Sequence, residues 1–206
     1  MDTKQLDEKP MYNKPMYNKN TGKLLLSIAR TSIAETLGLE NDGYPEEPPA
    51  WLLKDGACFV TLTQKDQLRG CIGSLEPHRP LIDDVKSNAK SAAFKDPRFE
   101  PLSADELAKT EVEVSLLSAT EPLHFSSEEE ALSQLRPGTD GVIFEYGHHR
   151  STFLPQVWEQ LPSTETFMAH LKNKAGLSAD FWADEVKLSR YTVSKWKESD
   201  YETHAA

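Results

Sequence analysis

The stretch that decides the fold reads Ala57-Cys58-Phe59-Val60-Thr61-Leu62-Thr63, then Gln64-Lys65-Asp66, then Gln67-Leu68-Arg69-Gly70-Cys71-Ile72-Gly73. Two β-prone runs flank a short polar segment, which predicts a hairpin. Side chains alternate along a strand, so Leu68, Gly70 and Ile72 share one face and Gln67, Arg69, Cys71 and Gly73 the other. With a three-residue loop, Thr63 pairs with Gln67 and Phe59 with Cys71. Cys58, Val60 and Leu62 then join Leu68, Gly70 and Ile72 on the core side. A loop of two or four residues breaks that match, because a one-residue slip turns every side chain over. In this register Cys58 is a core residue and Cys71 lies on the opposite face, so no disulfide between them is expected.

Outward from the hairpin, the pattern repeats. Before it, Leu26, Ala29, Ile33 and Leu37 form an apolar helical stripe that Gly38 is placed to stop. A proline-rich loop over 40–50 follows. After it comes a helix from Pro80, suited to the first helical position, to about Phe94. Ser103-Ala104-Asp105-Glu106 reads as a capping box, and Val112, Val114 and Leu116 alternate as a half-buried strand. A second helix capped near Ser126 or Ser127 precedes a second hairpin over 141–146 and 150–154, turning at Gly147-His148-His149. Then follow a helix from Ser163 to Ala175, stopped by Gly176, and a strand-like stretch near 186–196. The order strand-strand-helix-strand occurs twice. The expected fold is α+β, mainly antiparallel sheet packed with helices, arranged as two pseudo-repeats.

The chain has 206 residues and a formal charge of −10. A chain of this length buries a substantial core without disulfides or structural metal. Residues 21–198 read as one α+β domain with room for two subdomains, between tails at 1–20 and 199–206. The first tail holds the repeat Lys9-Pro10-Met11-Tyr12-Asn13, Lys14-Pro15-Met16-Tyr17-Asn18, with proline every fifth residue opposing helix. The amino terminus lacks the apolar stretch of a signal peptide, and no run is long enough to span a membrane. A cytoplasmic address is expected. The acidic balance argues against a broad nucleic-acid surface, unless Arg69, Arg79, Lys86, Lys90, Lys95 and Arg98 cluster on one face.

Cys71 is the residue that could carry chemistry. Gly70 and Gly73 beside it allow close approach of backbone or ligand. Arg69, two residues away on the same face, would favour the thiolate. Equally, a free cysteine commonly packs as a small hydrophobe, and glycines in a strand mark bulges. Asp96 and Arg98, in Asp96-Pro97-Arg98-Phe99, could bind a ligand or lock a turn by pairing with each other. Gln156, in Leu154-Pro155-Gln156-Val157-Trp158, could donate to a ligand or tie down a loop. His78 reads as a loop histidine that could serve as a base, and His148-His149 as turn residues without metal-ligand spacing. No cofactor or metal motif occurs.

The hexapeptide 68–73, the runs Ala92-Ala93-Phe94-Lys95-Asp96-Pro97-Arg98-Phe99 and Val112-Glu113-Val114-Ser115-Leu116-Leu117-Ser118, the segment 154–158 and Lys174-Ala175-Gly176-Leu177 together resemble the AMMECR-domain family. The chain looks most like its bacterial branch, AmmeMemoRadiSam system protein A, over about residues 22–196. The resemblance implies an α+β domain whose functional centre is the hexapeptide. It also implies association with a Memo-like protein and a radical S-adenosylmethionine enzyme, which would carry the metal or cluster chemistry. Two functions follow as expectations. One is an accessory subunit presenting Arg69, Gly70, Cys71 and Gly73, with Asp96, Arg98 and Gln156, to a partner or carried substrate. The other is an enzyme using Cys71 as nucleophile or transient acceptor, assisted by Arg69. Nucleic-acid binding stands last.

Overall fold

The structure, a computed structural model, describes residues 18–201. The pentapeptide repeat over 9–18 lies outside them except for its last residue, and so do residues 202–206. Helix α1 spans Lys19–Thr36, beginning inside the stretch expected to be tail, because the Asn18 side chain accepts from the Thr21 N–H and caps it. Strands β1 (Cys58–Gln64) and β2 (Gln67–Gly73) form the hairpin. Helix α2 covers Leu81–Phe94 with Pro80 as its N-cap, one position earlier than expected. Helix α3 (Ala104–Leu107) carries the Ser103/Glu106 capping box and leads into β3 (Glu111–Leu117) and the short β4 (Glu121–Pro122).

The second half repeats this plan with α4 (Glu128–Ser133), β5 (Gly141–Tyr146), β6 (His149–Phe153), α5 (Thr164–Lys174), β7 (Lys187–Tyr191) and β8 (Val193–Lys197). His149 belongs to β6 rather than to the turn, and its Nδ1 lies 2.8 Å from the Ala175 carbonyl. A short 3-10 helix over Glu198–Tyr201 occupies the start of the expected second tail. In each half the first strand of the hairpin sits between its partner and the strand that follows the helix. The orders are β2-β1-β3 and β6-β5-β7, all antiparallel.

The fourth strand of each sheet comes from the other half. β4, which continues β3, pairs with β7, and β8, which continues β7, pairs with β3. The stretch 186–196 is therefore two strands in two sheets. The crossover is held by the Ser118 N–H donating to the Thr192 carbonyl and the Thr192 N–H donating to Ser118 Oγ.

Each sheet has one helix-covered face. Cys58, Val60, Leu62, Val112, Val114 and Leu116 pack with the apolar stripes of α1 and α2. Val142, Phe144 and Leu188 pack with Phe167, Met168 and Leu171 of α5. The opposite faces meet in a small third cluster of Ala57, Leu117, Ile143 and Tyr191, with Phe59, Leu154 and Val193 against it. Where that contact ends, part of the first sheet stays uncovered, and the candidate site lies there.

Candidate functional site

The hairpin turn decides which side chains reach the site. It is a two-residue turn, with Lys65 at φ 50° and Asp66 at φ 61°. Positive φ at both positions suits the twist of the flanking strands. This turn alone would place Arg69 opposite Leu62, on the core side. The sheet avoids that with a bulge. Thr63 pairs with Leu68 and Leu62 with Gly70, so Arg69 is the extra residue. Beyond the bulge the pairs are Thr61 with Cys71, Val60 with Ile72 and Phe59 with Gly73.

The three-residue loop and the expected pairs, Thr63 with Gln67 and Phe59 with Cys71, are therefore overturned. The expected core side, Cys58, Val60, Leu62, Gly70 and Ile72, still holds because the bulge restores the faces, with two further corrections. Leu68 faces Thr63's side and is 42 % exposed, not core. Arg69 does not share a face with Cys71. Its Nε donates to Glu106 Oε1 at 3.0 Å and its Nη2 to Oε2 at 3.2 Å, while its guanidinium carbon sits 5.9 Å from the Phe99 ring centre. The guanidinium, with the Ser103 cap, holds the Glu106 carboxyl down to about 2. Arg69 locks β2 to α3, so the thiolate-favouring role expected from its sequence neighbourhood does not arise.

Cys71 is half-buried on the uncovered face, and Thr61 Oγ1 donates to its Sγ at 3.3 Å. Because β2 is an edge strand, the backbone of Cys71 needs an outside partner. Asp96 supplies it. Its Oδ2 accepts the Cys71 N–H at 2.9 Å, and Arg98 closes the clamp with 2.7 Å to Asp96 and 3.4 Å to the Cys71 carbonyl. The Arg98 hydrogen bond, then the Cys71 N–H, hold the Asp96 carboxyl below the ordinary carboxylate range. Asp96 and Arg98 thus pair with each other and fasten the backbone of Cys71.

Gly70 and Gly73 shape the two sides of this strand. A Cβ on Gly70 would lie 2.1 Å from the Ala92 carbonyl oxygen, so only glycine lets α2 settle on β2. A Cβ on Gly73 would lie 2.2 Å from the Phe59 ring, which therefore lies flat across the strand and walls the site.

Against this face stands a cavity of about 110 Å³. Phe59, Leu117 and Val193 give it apolar walls, and Cys71, Thr61, Gln156 and Lys195 bring polar groups to it. Gln156 arrives on a 3-10 helix over Pro155–Glu159. Trp158 anchors that helix by stacking on Phe167 at 3.7 Å between ring centres and donating its indole N–H to the Asp140 carbonyl at 2.7 Å. Gln156 and Cys71, far apart in sequence, thus share one cavity. Lys195, which comes on the exchanged strand β8, carries no signal that sequence reading could use. Thr61 could have been found only from the true register.

Other sequence candidates lie elsewhere. His78 is exposed, with Nδ1 3.0 Å from the Glu76 carbonyl. Cys58 is buried on the helix side, and burial pushes its thiol up. Among the described residues no cluster of three metal-ligating side chains occurs, and no helix is long and apolar enough to cross a membrane. Of the six cations weighed for nucleic acid, Arg69, Arg79, Lys90 and Arg98 pair with Glu106, Asp84, Glu35 and Asp96, and Lys86 lies over the Tyr44 ring.

Comparison with known proteins places this geometry among relatives. The chain is 40 % identical over 184 residues to a protein of Methanothermobacter thermautotrophicus, covering 86 % of this chain and 94 % of that one. It is 43 % identical over 149 residues to protein MJ0810 of Methanocaldococcus jannaschii, covering 68 % and 72 %. The crystal structure of the uncharacterized protein PH0010 from Pyrococcus horikoshii is similar, with a TM-score of 0.70 and 32 % identity over 88 % of this chain and 93 % of that one. The model of the AMMECR1 family matches residues 26–196, and the chain belongs to that family.

Proposed function

We propose that the cavity beside Cys71 is the working site, and that the chain acts there as a thiol enzyme or transient acceptor for a small molecule. One observation carries this reading: Cys71 Sγ, with the Thr61 hydroxyl donating to it, faces a cavity that Gln156 also lines. A nucleophile needs a positioned sulfur, a hydrogen-bond donor beside it and room for a reacting atom, and this cavity offers all three. The Asp96–Arg98 clamp supports the reading, because it fixes the Cys71 backbone from outside the sheet. Arg69 drops out of the catalytic set and serves as a structural lock.

The test is intact-protein mass spectrometry after incubation with a metabolite extract. A covalent adduct on Cys71 is expected, with Cys58 unmodified and no adduct on Cys71→Ser. A Cys71 inert toward both the extract and iodoacetamide overturns the reading.

A second reading keeps the chain as an accessory subunit of a Memo-like protein and a radical S-adenosylmethionine enzyme, as its resemblance to AmmeMemoRadiSam system protein A implies. The relatives described above are archaeal, so the bacterial branch and its partners belong to this reading alone. It is favoured by two exposed apolar side chains flanking this stretch, Leu68 at the start of the hexapeptide and Leu75 two residues past its end, which are 42 % and 40 % exposed. Co-purification with either partner, lost on Leu68→Lys, is the expected result. No association with either protein would remove this reading.

A further inference from the structure

The charges around the cavity do not cancel. Glu113, which lines it, faces Lys197 across the β3–β8 pairing at 4.0 Å. Asp96 and Arg98, at the strand edge beside Cys71, neutralise each other. Lys195 also lines the cavity, yet among the described residues no carboxylate lies within 4.0 Å of its ammonium. Counting Glu113 and Lys195 in the lining with Lys197 beside Glu113, one positive charge is left over next to a small pocket, on a chain whose formal charge is −10. An uncompensated cation beside low-dielectric walls raises the local concentration of anions.

Size narrows the ligand further. A volume of about 110 Å³ is roughly that of three or four waters. It has room for a short chain. Phe59, Leu117 and Val193 suit a carbon skeleton, the Gln156 amide suits a carbonyl or carboxylate oxygen, and the thiol suits an electrophilic carbon.

We infer that the Cys71 cavity selects a short carboxylate that carries an electrophilic carbon, with Lys195 as the residue that sets the charge preference. This deepens the reading of Cys71 as the working thiol and rests on it. The bland role of Lys195 is that of a solvated lysine guarding an edge strand, since β8 ends its sheet.

Iodoacetate and iodoacetamide separate the two. They are nearly isosteric, one an anion and one neutral. In both, the Cys71 sulfur attacks the methylene carbon, a C–S bond forms, the C–I bond breaks, iodide leaves and the thiol proton passes to buffer. The rate ratio of iodoacetate to iodoacetamide at Cys71 is read by peptide mass spectrometry at low salt and compared with the same ratio for N-acetylcysteine. We expect the ratio at Cys71 to exceed the reference by about threefold, as an exposed ion pair allows. It should fall to the reference in Lys195→Gln, persist in Lys195→Arg and shrink at high salt. Circular dichroism checks that the variants fold. A Cys71 that reacts with both reagents at the reference ratio, unchanged by Lys195→Gln, overturns the charge preference and leaves the thiol reading standing. A Cys71 inert to both reagents removes the thiol reading and the inference with it.

Discussion

Replacing Gly70 by alanine gives the sharpest test of how the hexapeptide is packed. On propensity alone the change should help, since glycine in a strand costs roughly 0.5–1 kcal/mol relative to alanine. The backbone at Gly70 does not oppose it, because Gly70 is not among the glycines with positive φ. Packing does oppose it. The new Cβ would stand 2.1 Å from the Ala92 carbonyl oxygen and 3.0 Å from its carbon. An ordinary C···O contact needs about 3.3 Å, so strand and helix must part by about 1.2 Å. The helix cannot give easily, because Asp84 accepts the Cys58 N–H and Asn88 donates to the Cys58 carbonyl. Overpacking against backbone wins over propensity, with a net loss of about 2–4 kcal/mol. For a chain of this size that lowers Tm by roughly 5–15 °C. Differential scanning calorimetry of Gly70→Ala beside Gly138→Ala reads the effect. Gly138 sits at φ 75° with nothing within 4 Å of its Cβ position, so its replacement carries only backbone strain, about 1 kcal/mol. Ala92→Gly should not rescue Gly70→Ala, because the obstacle is a carbonyl oxygen. A Gly70→Ala protein as stable as the parent, or one rescued by Ala92→Gly, would refute the reasoning.

Asp84 is fully buried and accepts from the Cys58 N–H, Ser74 Oγ, Arg79 Nε and Asn88 Nδ2. Asp84→Ala should cost about 3–5 kcal/mol by urea denaturation, because it strands those donors, and Asp84→Asn should cost less. Gly22→Ala gains about 1 kcal/mol of helix propensity, yet its Cβ would meet the Trp196 ring at 2.2 Å and the Tyr201 hydroxyl at 2.3 Å. A net thermal destabilisation of about 1–3 kcal/mol is expected, and a stabilised variant would show that the carboxyl-terminal segment does not pack there. Glu106 titrates near 2 when folded against an ordinary 4.5, chiefly through Arg69. A lowered folded value stabilises above the unfolded value and is lost as pH falls through the folded one. The stability advantage of the parent over Glu106→Gln should therefore be full above about pH 5 and fade between about pH 4.5 and 2 in guanidinium titrations; an advantage that does not change with pH would rule out the Arg69 bond as its source.

The sequence by itself determined most of the elements and their order, but it ran β7 and β8 together and passed over the short β4. Hydrophobic periodicity located α1, α2 and α5, and the Ser103/Glu106 box was legible because capping is a local hydrogen-bond pattern. It also put Cys58 inside, since alternation along β1 depends only on neighbouring residues, whereas Cys71 lies on the expected opposite face because the bulge offsets the shorter turn. It misplaced Leu68 and Arg69, because a two-residue turn and a one-residue bulge each shift the register by one; together they restore the faces beyond Gly70 while moving every partner by two residues. Neither leaves a clear local signature: Asp66 tolerates positive φ but Lys65 does not favour it and no glycine marks the turn, and a bulge is a compromise between two strands. Tertiary structure alone decided what faces Cys71. Gln156 reaches the cavity because Trp158 is pinned on Phe167, and Lys195 because β8 crosses into the first sheet beside β3. Strand exchange between the halves is a long-range pairing, set by which open edges remain once each hairpin and helix has formed. No window along the chain contains that information, so the thiol was visible in the sequence and its surroundings were not.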